Sequence, residues 1–379
     1  MTAYLDHASA WPLSDAVRAE MERWTGHVGS PMALHEAARG PADAIATARE
    51  GVAAVTGWPA ECVIFTAGAT EARNLAIKGA LAATGCSAPV IVADPLAHAS
   101  SLAVARTLTR RGGHLHLVPV DGLGRVSPAD LGGATGDLVL ITHGQPEVGT
   151  VQDVPALVAA ARSAAPEAVI VLDAEETAGL MALDDALGAD LLVIGGRTLG
   201  APPWTGALLV RPGTRLHPVI EGGLEEGGKR GGPHDVPGIA ALGAAAREAR
   251  AEGTARAAHM RRQAAALAHG LLAVPGTRLN GPPVDDRLPG HVQVCAEGVE
   301  GEAVALAMAA RGVAVSPGSA CTFGAGKASP VLQAMGLDED SARSAVLLTA
   351  GPATTDAEVA EAVAAFGDAV RALRGMAPA

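Results

Sequence analysis

The chain has 379 residues, of which 49% are hydrophobic and 18% charged, so it is long enough for two or three domains and favours a large buried core over disorder. Its 28 lysines and arginines stand against 40 aspartates and glutamates and form no basic block, which argues against nucleic-acid binding. No apolar run reaches the roughly 18 residues of a membrane span, and the N-terminus lacks a signal-peptide layout. We therefore expect a cytoplasmic protein that binds neither nucleic acid nor a membrane.

Short apolar runs alternate with helical patterns over the first 210 residues or so. The alternation indicates an α/β domain with a mixed, mostly parallel sheet and helices on both faces. Sheets of this kind bind ligands beyond the carboxyl ends of their strands. The predicted strands are 62–66, 90–93, 138–141, 169–172, 191–194 and 207–210, and the predicted helices are 70–82, 100–110 and 155–165.

The pattern changes after residue 212, where a glycine-rich segment at 221–232 precedes a long helical region at 237–272. We predict a large α/β domain of residues 13–250 and a smaller α+β domain of residues 1–12 and 251–379, joined by the long helix. The last third of the chain mixes predicted strands at 291–295, 313–316 and 345–349 with predicted helices at 300–310, 328–335 and 355–373.

The four cysteines show neither a C-x-x-C pair nor the histidine spacing of a zinc site, so no metal site is predicted. Cys62 and Cys295 lie in apolar strands, where a small buried side chain is the expected role. Cys321 lies instead in the small-residue segment 316–322, with further glycines at 324 and 326. A thiol on such a loop can act as a nucleophile, and a buried small side chain is the alternative.

Three polar side chains follow predicted strands. Thr70 begins a helix, where free N–H groups and the helix dipole favour a phosphate, with an ordinary helix cap as the alternative. Asp173 ends the strand 169–172, where its carboxylate either faces a ligand or caps a turn. His98 follows another strand and is either a site residue or a solvated loop residue.

Taken together, these segments resemble the cysteine desulfurases, a family of pyridoxal-phosphate (PLP) enzymes within aminotransferase class V and the fold-type I superfamily. The resemblance covers nearly the whole chain and keeps the order of the motifs. The segment Phe65-Thr66-Ala67-Gly68-Ala69-Thr70-Glu71 is nearly the family signature. The other similar segments are 4–10, 29–35, 74–79 and 316–322.

The resemblance implies a role for each matching residue. Thr70 would bind the PLP phosphate, His98 would stack on the pyridine ring, and Asp173 would pair with the ring nitrogen. Cys321 falls on the persulfide-forming cysteine, and Gln145 falls in the family's Asn-Asn-Glu-x-Gly segment. The family also implies a homodimer that works with a sulfur acceptor or a partner enzyme.

The chain departs from the family at the lysine that attaches PLP. An ungapped alignment through 190–192 and 206–208 places Thr198 on that lysine. It also places Arg197 on a phosphate-binding histidine and Gly195 on a phosphate-binding serine. A hydroxyl cannot form an imine with an aldehyde, and a guanidinium stays protonated. Covalent attachment of PLP, which needs a lysine amine, is therefore not expected.

Further departures fall on cofactor and substrate contacts. Leu347 stands at the arginine that binds the substrate carboxylate. Glu176 stands at a glutamine near the ring oxygen, where a carboxylate would repel a phenolate. Gln145 begins a segment that lacks the two asparagines, and Pro233 replaces a phosphate-binding threonine, although Arg230 is kept. The set of changes indicates a site released from PLP chemistry.

Three hypotheses are consistent with these residues. In the first, the protein does without PLP and uses Cys321, with His98 as a base, to carry sulfur as a persulfide or for other nucleophilic chemistry. In the second, it is a non-catalytic scaffold or heterodimer partner of a desulfurase or a biosynthetic enzyme. In the third, it is a PLP-dependent desulfurase with a displaced lysine. Lys229 is then the candidate, because Lys78 lies in a structural helix and Lys327 lies on the loop of the cysteine.

The vacated pocket is itself a predicted ligand site. Thr70 and Arg197 would bind an anion at the strand ends. A small ligand with a phosphate or carboxylate at one end and a donor group at the other would suit this arrangement. The alternative is a pocket filled by side chains such as Trp204. The other side chains predicted to line the cleft are His98, Asp173 and Glu176.

Overall fold

The computed structural model describes residues 3–183, 188–318 and 328–376 of the chain. Among these residues, no helix is long and apolar enough to cross a membrane. The strands of this part are β1 (Ala3–Tyr4), β2 (Val63–Thr66), β3 (Val90–Ala93), β4 (His114–Leu117), β5 (Leu138–Thr142), β6 (Val169–Asp173), β7 (Leu191–Gly195), β8 (Gly206–Val210), β9 (Thr277–Leu279), β10 (His291–Ala296), β11 (Val313–Ala314) and β12 (Ala345–Thr349). The helices are α1 (Asp15–Trp24), α2 (Arg39–Thr56), α3 (Ala69–Asn74), α4 (Ala80–Thr84), α5 (Ala99–Thr109), α6 (Pro128–Gly132), α7 (Val154–Ala164), α8 (Val236–Leu272), α9 (Gly301–Ala309), α10 (Pro330–Ala334), α11 (Glu339–Arg343) and α12 (Asp356–Met376).

The largest sheet has the strand order β2-β8-β7-β6-β5-β3-β4. Neighbouring strands from β7 to β4 run parallel, and β8 runs antiparallel to both β7 and β2. The apolar strands β2, β5, β7 and β8 are buried along their whole length, as expected for a sheet covered on both faces. The predicted α/β fold with a mixed, mostly parallel sheet is therefore confirmed.

The strand directions decide where a site can form. Because β2, β3, β5, β6 and β7 all run the same way, the segments that follow them meet at one edge of the sheet. These segments carry the side chains that the sequence marks as site residues. Ligand binding at this edge is the usual consequence of such a topology.

Helix α8 connects two hydrophobic cores. Its first half packs on the main sheet through residues such as Ile239, and its second half packs on the C-terminal part of the chain through residues such as Leu267. Small side chains let α8 and α2 meet closely, since a Cβ on Gly243 would lie 2.4 Å from the Cα atom of Ala48. The domain boundary predicted at residue 250 falls inside α8, so the division into two domains stays a prediction.

The smaller core contains residues from both ends of the chain. Strands β12, β10 and β9 form an antiparallel sheet, and β1 pairs with β11 in parallel. Single bridges from Asp6 and Ser316 to β12 join the pair to this sheet. Leu5 and the fully buried Phe366 belong to the same core. The N-terminal residues therefore pack with the C-terminal third of the chain.

Candidate ligand site at the strand ends

A cavity of about 570 Å³ lies at the edge where the strands of the main sheet end. The C-terminal part of the chain closes it with Ser316, Val331 and Leu347. Trp204 does not line the cavity and is 54% exposed, so this side chain does not fill it. The predicted site residues that line the cavity are Thr70, His98, Gln145 and Arg197. Those that do not line it are Asp173, Glu176 and Thr198.

Asp173 does not line the cavity, whereas its ion-pair partner Arg73 does. The two oxygens of the Asp173 carboxylate accept from Nε and Nη2 of Arg73, at 2.6 and 3.1 Å. The same Nη2 donates to Glu175 at 2.6 Å. Arg73 is only 3% exposed, and its hydrogen bonds to both carboxylates are charge-assisted. The carboxylate at the end of β6 is therefore already bound by a cation of the chain itself.

Arg197 is held by a second set of contacts. Its Nε atom donates to Glu175 at 3.1 Å, and its Nη2 atom donates to Glu176. Its Nη1 atom donates to the backbone carbonyl of Ala8. An incoming anion would have to compete with two carboxylates for this guanidinium, which weakens the case for an anion site at Thr70 and Arg197. That site stays a prediction.

The carboxylates of this network differ in their affinity for protons. For Glu175, burial would raise the pKa, but the charges of Arg197 and Arg73 outweigh burial and hold the pKa below its ordinary value. For Glu176, burial raises the pKa above its ordinary value against the opposing effect of Arg197. Glu175 therefore stays ionised between the two guanidinium groups, and Glu176 takes up a proton first.

Thr198 contributes no reactive group to the cavity. Its hydroxyl donates to the backbone carbonyl of Glu175, and the side chain is buried. With Glu176 and His291 it borders a separate void of about 10 Å³, which is about the space of one water molecule. The residue that the alignment places on the lysine thus does not line the cavity.

His98 presents a hydrogen-bond donor to its surroundings. It precedes α5, and its Nδ1 atom accepts from the backbone N–H of Ser100 at 3.1 Å. Burial, with the charge of Arg73, lowers the pKa of His98, so the ring is neutral near pH 7. Because Nδ1 carries the lone pair, the proton is on Nε2. This tautomer disfavours the predicted role of His98 as a base.

Gln145 and Thr70 both line the cavity. The side-chain oxygen of Gln145 accepts from the N–H groups of Glu147 and Val148, at 2.6 and 2.8 Å, and so holds the turn after β5. Thr70 lies in the first turn of α3 and lines the cavity. The next residue, Glu71, binds Arg230 of the same chain at 3.0 Å.

Comparison with known proteins places the chain in a family. A profile of the class V aminotransferases matches residues 3–361. Over 380 residues, the chain is 31% identical to cysteine desulfurase IscS 1 of Archaeoglobus fulgidus, covering 99% of this chain and 98% of the relative. Over 389 residues, it is 34% identical to cysteine desulfurase IscS of Anaeromyxobacter dehalogenans, covering 99% of this chain and 94% of the relative.

The chain belongs to the class V aminotransferase family. A solved NifS-like protein is similar with a TM-score of 0.90 at 26% identity, covering 97% of this chain and 99% of the other. SspA, solved in complex with cysteine, is similar with a TM-score of 0.80 at 27% identity, covering 93% of this chain and 100% of the other. The predicted resemblance to the cysteine desulfurases is therefore confirmed over nearly the whole length.

The reactive groups assumed by two of the hypotheses are not found in the described part of the cavity. Cys321 and Lys327 lie outside the described residues. Lys78 does not line the cavity of this class V aminotransferase homologue, and neither does Lys229. Lys229 lines instead a separate surface cavity of about 370 Å³, together with Arg49 and Glu226. Within the described part of one chain, no lysine amine faces the candidate site.

Sequence reasoning missed Arg73 and Glu175, which organise this cysteine desulfurase-like site. Arg73 lies between the two motif segments 65–71 and 74–79, which carry the resemblance. A signal was available, since Arg73 follows Thr70 by three residues and so lies on the same face of the helix that starts at the strand end. Glu175 follows Asp173 by two residues. Two acids this close at the end of a buried strand indicate that cationic side chains lie nearby to compensate their charge.

Proposed function

We propose that this cysteine desulfurase-like protein does not hold PLP, and that Arg73 takes the place of the pyridinium group. The observation that carries the proposal is the ion pair between Arg73 and Asp173, the residue that the resemblance assigns to the ring nitrogen. A ring nitrogen would have to displace the guanidinium from a buried carboxylate. Displacement would leave a buried cation short of one partner, which is strongly unfavourable.

The neighbouring contacts support the same proposal. Thr198 offers a hydroxyl that is bound to the Glu175 carbonyl, and it offers no amine. Arg197, at the position of a phosphate-binding histidine, would have to leave Glu175 and Glu176 to reach a phosphate. The residues present therefore do not fit PLP, and we assign the protein no PLP-dependent step.

As the activity, we propose that the protein carries sulfur on Cys321, without PLP. Support comes from the sequence alone, because the segment 316–322 resembles the persulfide loop of the family. The Cys321 thiolate would attack the outer sulfur of a persulfide supplied by another protein or a small thiol. The donor's S–S bond breaks, the donor thiolate leaves, and a new S–S bond forms on Cys321. The exchange involves no net oxidation, so it needs no cofactor.

This role assigns the protein its partners and its setting. The persulfide donor is an active desulfurase or a low-molecular-weight persulfide, and the recipient is a sulfur acceptor. We place these reactions in the cytoplasm. We also propose that the protein is a homodimer, because exposed apolar side chains cluster on one surface. Met32 and Leu224, which are 55% and 79% exposed, line the same surface cavity.

Absorbance spectra with added PLP, before and after borohydride reduction, test the loss of the cofactor. We expect no stable band after dialysis of the natural protein and no covalent adduct by mass spectrometry. Thr198→Lys alone restores an amine and should attach PLP weakly, because Asp173 stays paired with Arg73. The double variant with Arg73→Gln should attach PLP more tightly than Thr198→Lys. A stable yellow band in the natural protein, lost in Lys229→Ala, would support the displaced-lysine hypothesis instead.

Incubation with glutathione persulfide, followed by peptide mass spectrometry, tests sulfur carriage. We expect one added sulfur atom at Cys321, no addition in Cys321→Ser, and unchanged addition in Cys86→Ser, which removes an exposed thiol elsewhere. Sulfur uptake independent of Cys321 would refute this role. If Cys321→Ser also kept the cellular function of the protein, the scaffold hypothesis would be favoured.

A further inference from the structure

Three neighbouring residues, Ser316, Leu347 and Gln293, lie at the end of the cavity that the C-terminal part of the chain forms. Leu347 of β12 is directly opposite Gln293 of β10, and it also bridges to Ser316. Residues directly opposite each other on neighbouring strands present their side chains on the same face. Ser316 and Leu347 line the cavity, and Gln293 is fully buried beside them. From this row, the side chain of Gln293 donates a hydrogen bond to Glu147.

Glu147 is a buried carboxyl at this end of the cavity. It is 6% exposed and lines the cavity, and its Oε1 atom accepts from Nε2 of Gln293 at 3.0 Å. A Cβ on Gly318 would lie 3.5 Å from the same oxygen, so the carboxyl is close to the cavity wall. Among the described residues, no lysine, arginine or histidine nitrogen lies within 4.0 Å of it.

Glu147 differs in this respect from the acids at the other end of the site. Asp173, Glu175 and Glu176 share two arginines in a closed network. Within the described part of the chain, the hydrogen bonds to the Glu147 carboxyl come from the amide of Gln293 and from Ser329. An ionised carboxylate without a counter-ion is costly to bury. Because Glu147 lines the cavity, a cation in the cavity can reach its carboxyl group.

We infer that this end of the cavity binds the ammonium group of a small aliphatic amine that lacks a carboxylate, with Glu147 as the counter-ion. Leu96, Val331 and Leu347 line the cavity and provide apolar contact for the methylene chain. A carboxylate on the ligand would be repelled by Glu147 and would find Leu347 in place of a cationic side chain. The cavity volume is within the range of sites for small molecules.

The inference rests on the proposed function in one respect, because PLP would compete for the same cavity. Binding is therefore measured on protein that has been treated with hydroxylamine and dialysed. The amine titration then decides the inference, whereas the absorbance of the untreated protein decides whether PLP is held. Failure of one does not imply failure of the other.

The test is a calorimetric titration at pH 8 with butylamine and with butyrate, two probes of similar size and opposite charge. We expect saturable binding of butylamine and no binding of butyrate. Glu147→Gln, which keeps the shape of the side chain, should weaken butylamine binding roughly tenfold or more, as expected for a charge-assisted hydrogen bond. Glu61→Gln makes the same change outside this cavity and should leave the affinity unchanged.

A second variant tests whether misfolding could account for a loss of butylamine binding. Leu347→Arg keeps Glu147 but supplies an internal cation beside it, and it should abolish butylamine binding. Circular dichroism spectra that match the natural protein show that both variants are folded. Equal affinity for butyrate and butylamine, or full affinity in Glu147→Gln, would overturn the inference. So would a lack of any butylamine binding.

Discussion

Replacing Arg73 with glutamine tests whether this residue compensates the buried charge at the end of β6. Arg73 makes 2.6 Å contacts with both Asp173 and Glu175. In Arg73→Gln, Glu175 keeps Arg197 at 3.1 Å, whereas Asp173 loses its ion-pair partner. The variant therefore leaves one uncompensated carboxylate, buried to 9% exposure. The protein should lose stability for this reason.

The expected size of the effect follows from the geometry. Removing one partner of a buried ion pair costs about 3–5 kcal/mol. Asp173→Asn should cost less, about 1–3 kcal/mol, because Arg73 keeps Glu175 as a partner. The double variant removes both the cation and the orphaned charge. Its cost should be clearly below the sum of the single costs, since the two residues are in direct contact.

Thermal unfolding followed by circular dichroism measures the Tm of four proteins: the natural protein, the two single variants and the double variant. For the predicted large domain of residues 13–250, 1 kcal/mol corresponds to about 2–4 °C in Tm, so Arg73→Gln should lower Tm by about 6–20 °C. Arg106→Gln is the matched control, because Arg106 lines the same cavity and forms none of the ion pairs found among the described residues. Its Tm should change little.

Two results would refute this account of Arg73. One is a Tm of Arg73→Gln within about 2 °C of the natural protein, which corresponds to at most ~1 kcal/mol. The other is additivity of Arg73→Gln and Asp173→Asn, which would show that the residues are not coupled. Either result would also weaken the proposal that Arg73 excludes PLP.

Three further predictions concern other parts of the molecule. Burial raises the pKa of Glu147 from its ordinary 4.5 to about 7. Protonation of this carboxyl group therefore stabilises the folded state, fully below pH 4.5, and the stabilisation is lost as the pH rises through 7. Glu147→Gln should therefore raise Tm at pH 8 and not at pH 4, and butylamine should bind the natural protein more tightly at pH 8 than at pH 6. Glu226 has a buried carboxylate that accepts from Arg49, His234 and the N–H of Phe65. Glu226→Ala should lower the free energy of unfolding by about 3–5 kcal/mol, measured by urea denaturation. Light scattering should give the mass of a dimer, and Leu224→Glu should shift the protein toward the monomer, whereas Leu306→Glu, on an exposed face of α9, should not.

The main sheet was predictable because its strands are short continuous apolar runs. β5, β6, β7 and β8 are of this kind and lie where the sequence predicts them. β4 was missed, since it reads His114-Leu115-His116-Leu117 and lies mostly exposed at the sheet edge. An edge strand with one exposed face carries polar residues, and its short pattern is not distinguishable from a loop. The order of the strands could not be read from the apolar pattern, because the buried runs resemble one another.

The candidate site was predictable in its position but not in its contacts. Strand ends and the family motifs identified Thr70, His98 and Arg197, and all three line one cavity. The partners of Asp173 could not be read from the sequence, because an ion pair between residues 100 positions apart depends on how α3 packs against the sheet. The tautomer of His98 likewise depends on the N–H group of Ser100, which a sequence pattern does not reveal.

Under the proposed loss of PLP, the charge balance of the site couples the predicted departures from the family to one another. Asp173, Glu175 and Glu176 are buried, and the only cations bound to them in the described part of the chain are Arg73 and Arg197. A third buried positive charge from a lysine at 198 would compete for the same carboxylates, while a pyridinium would compete with Arg73 for Asp173. Restoring one family residue therefore opposes the rest of the network. We therefore expect tight PLP binding only when Arg73 is removed and the amine at position 198 is restored together.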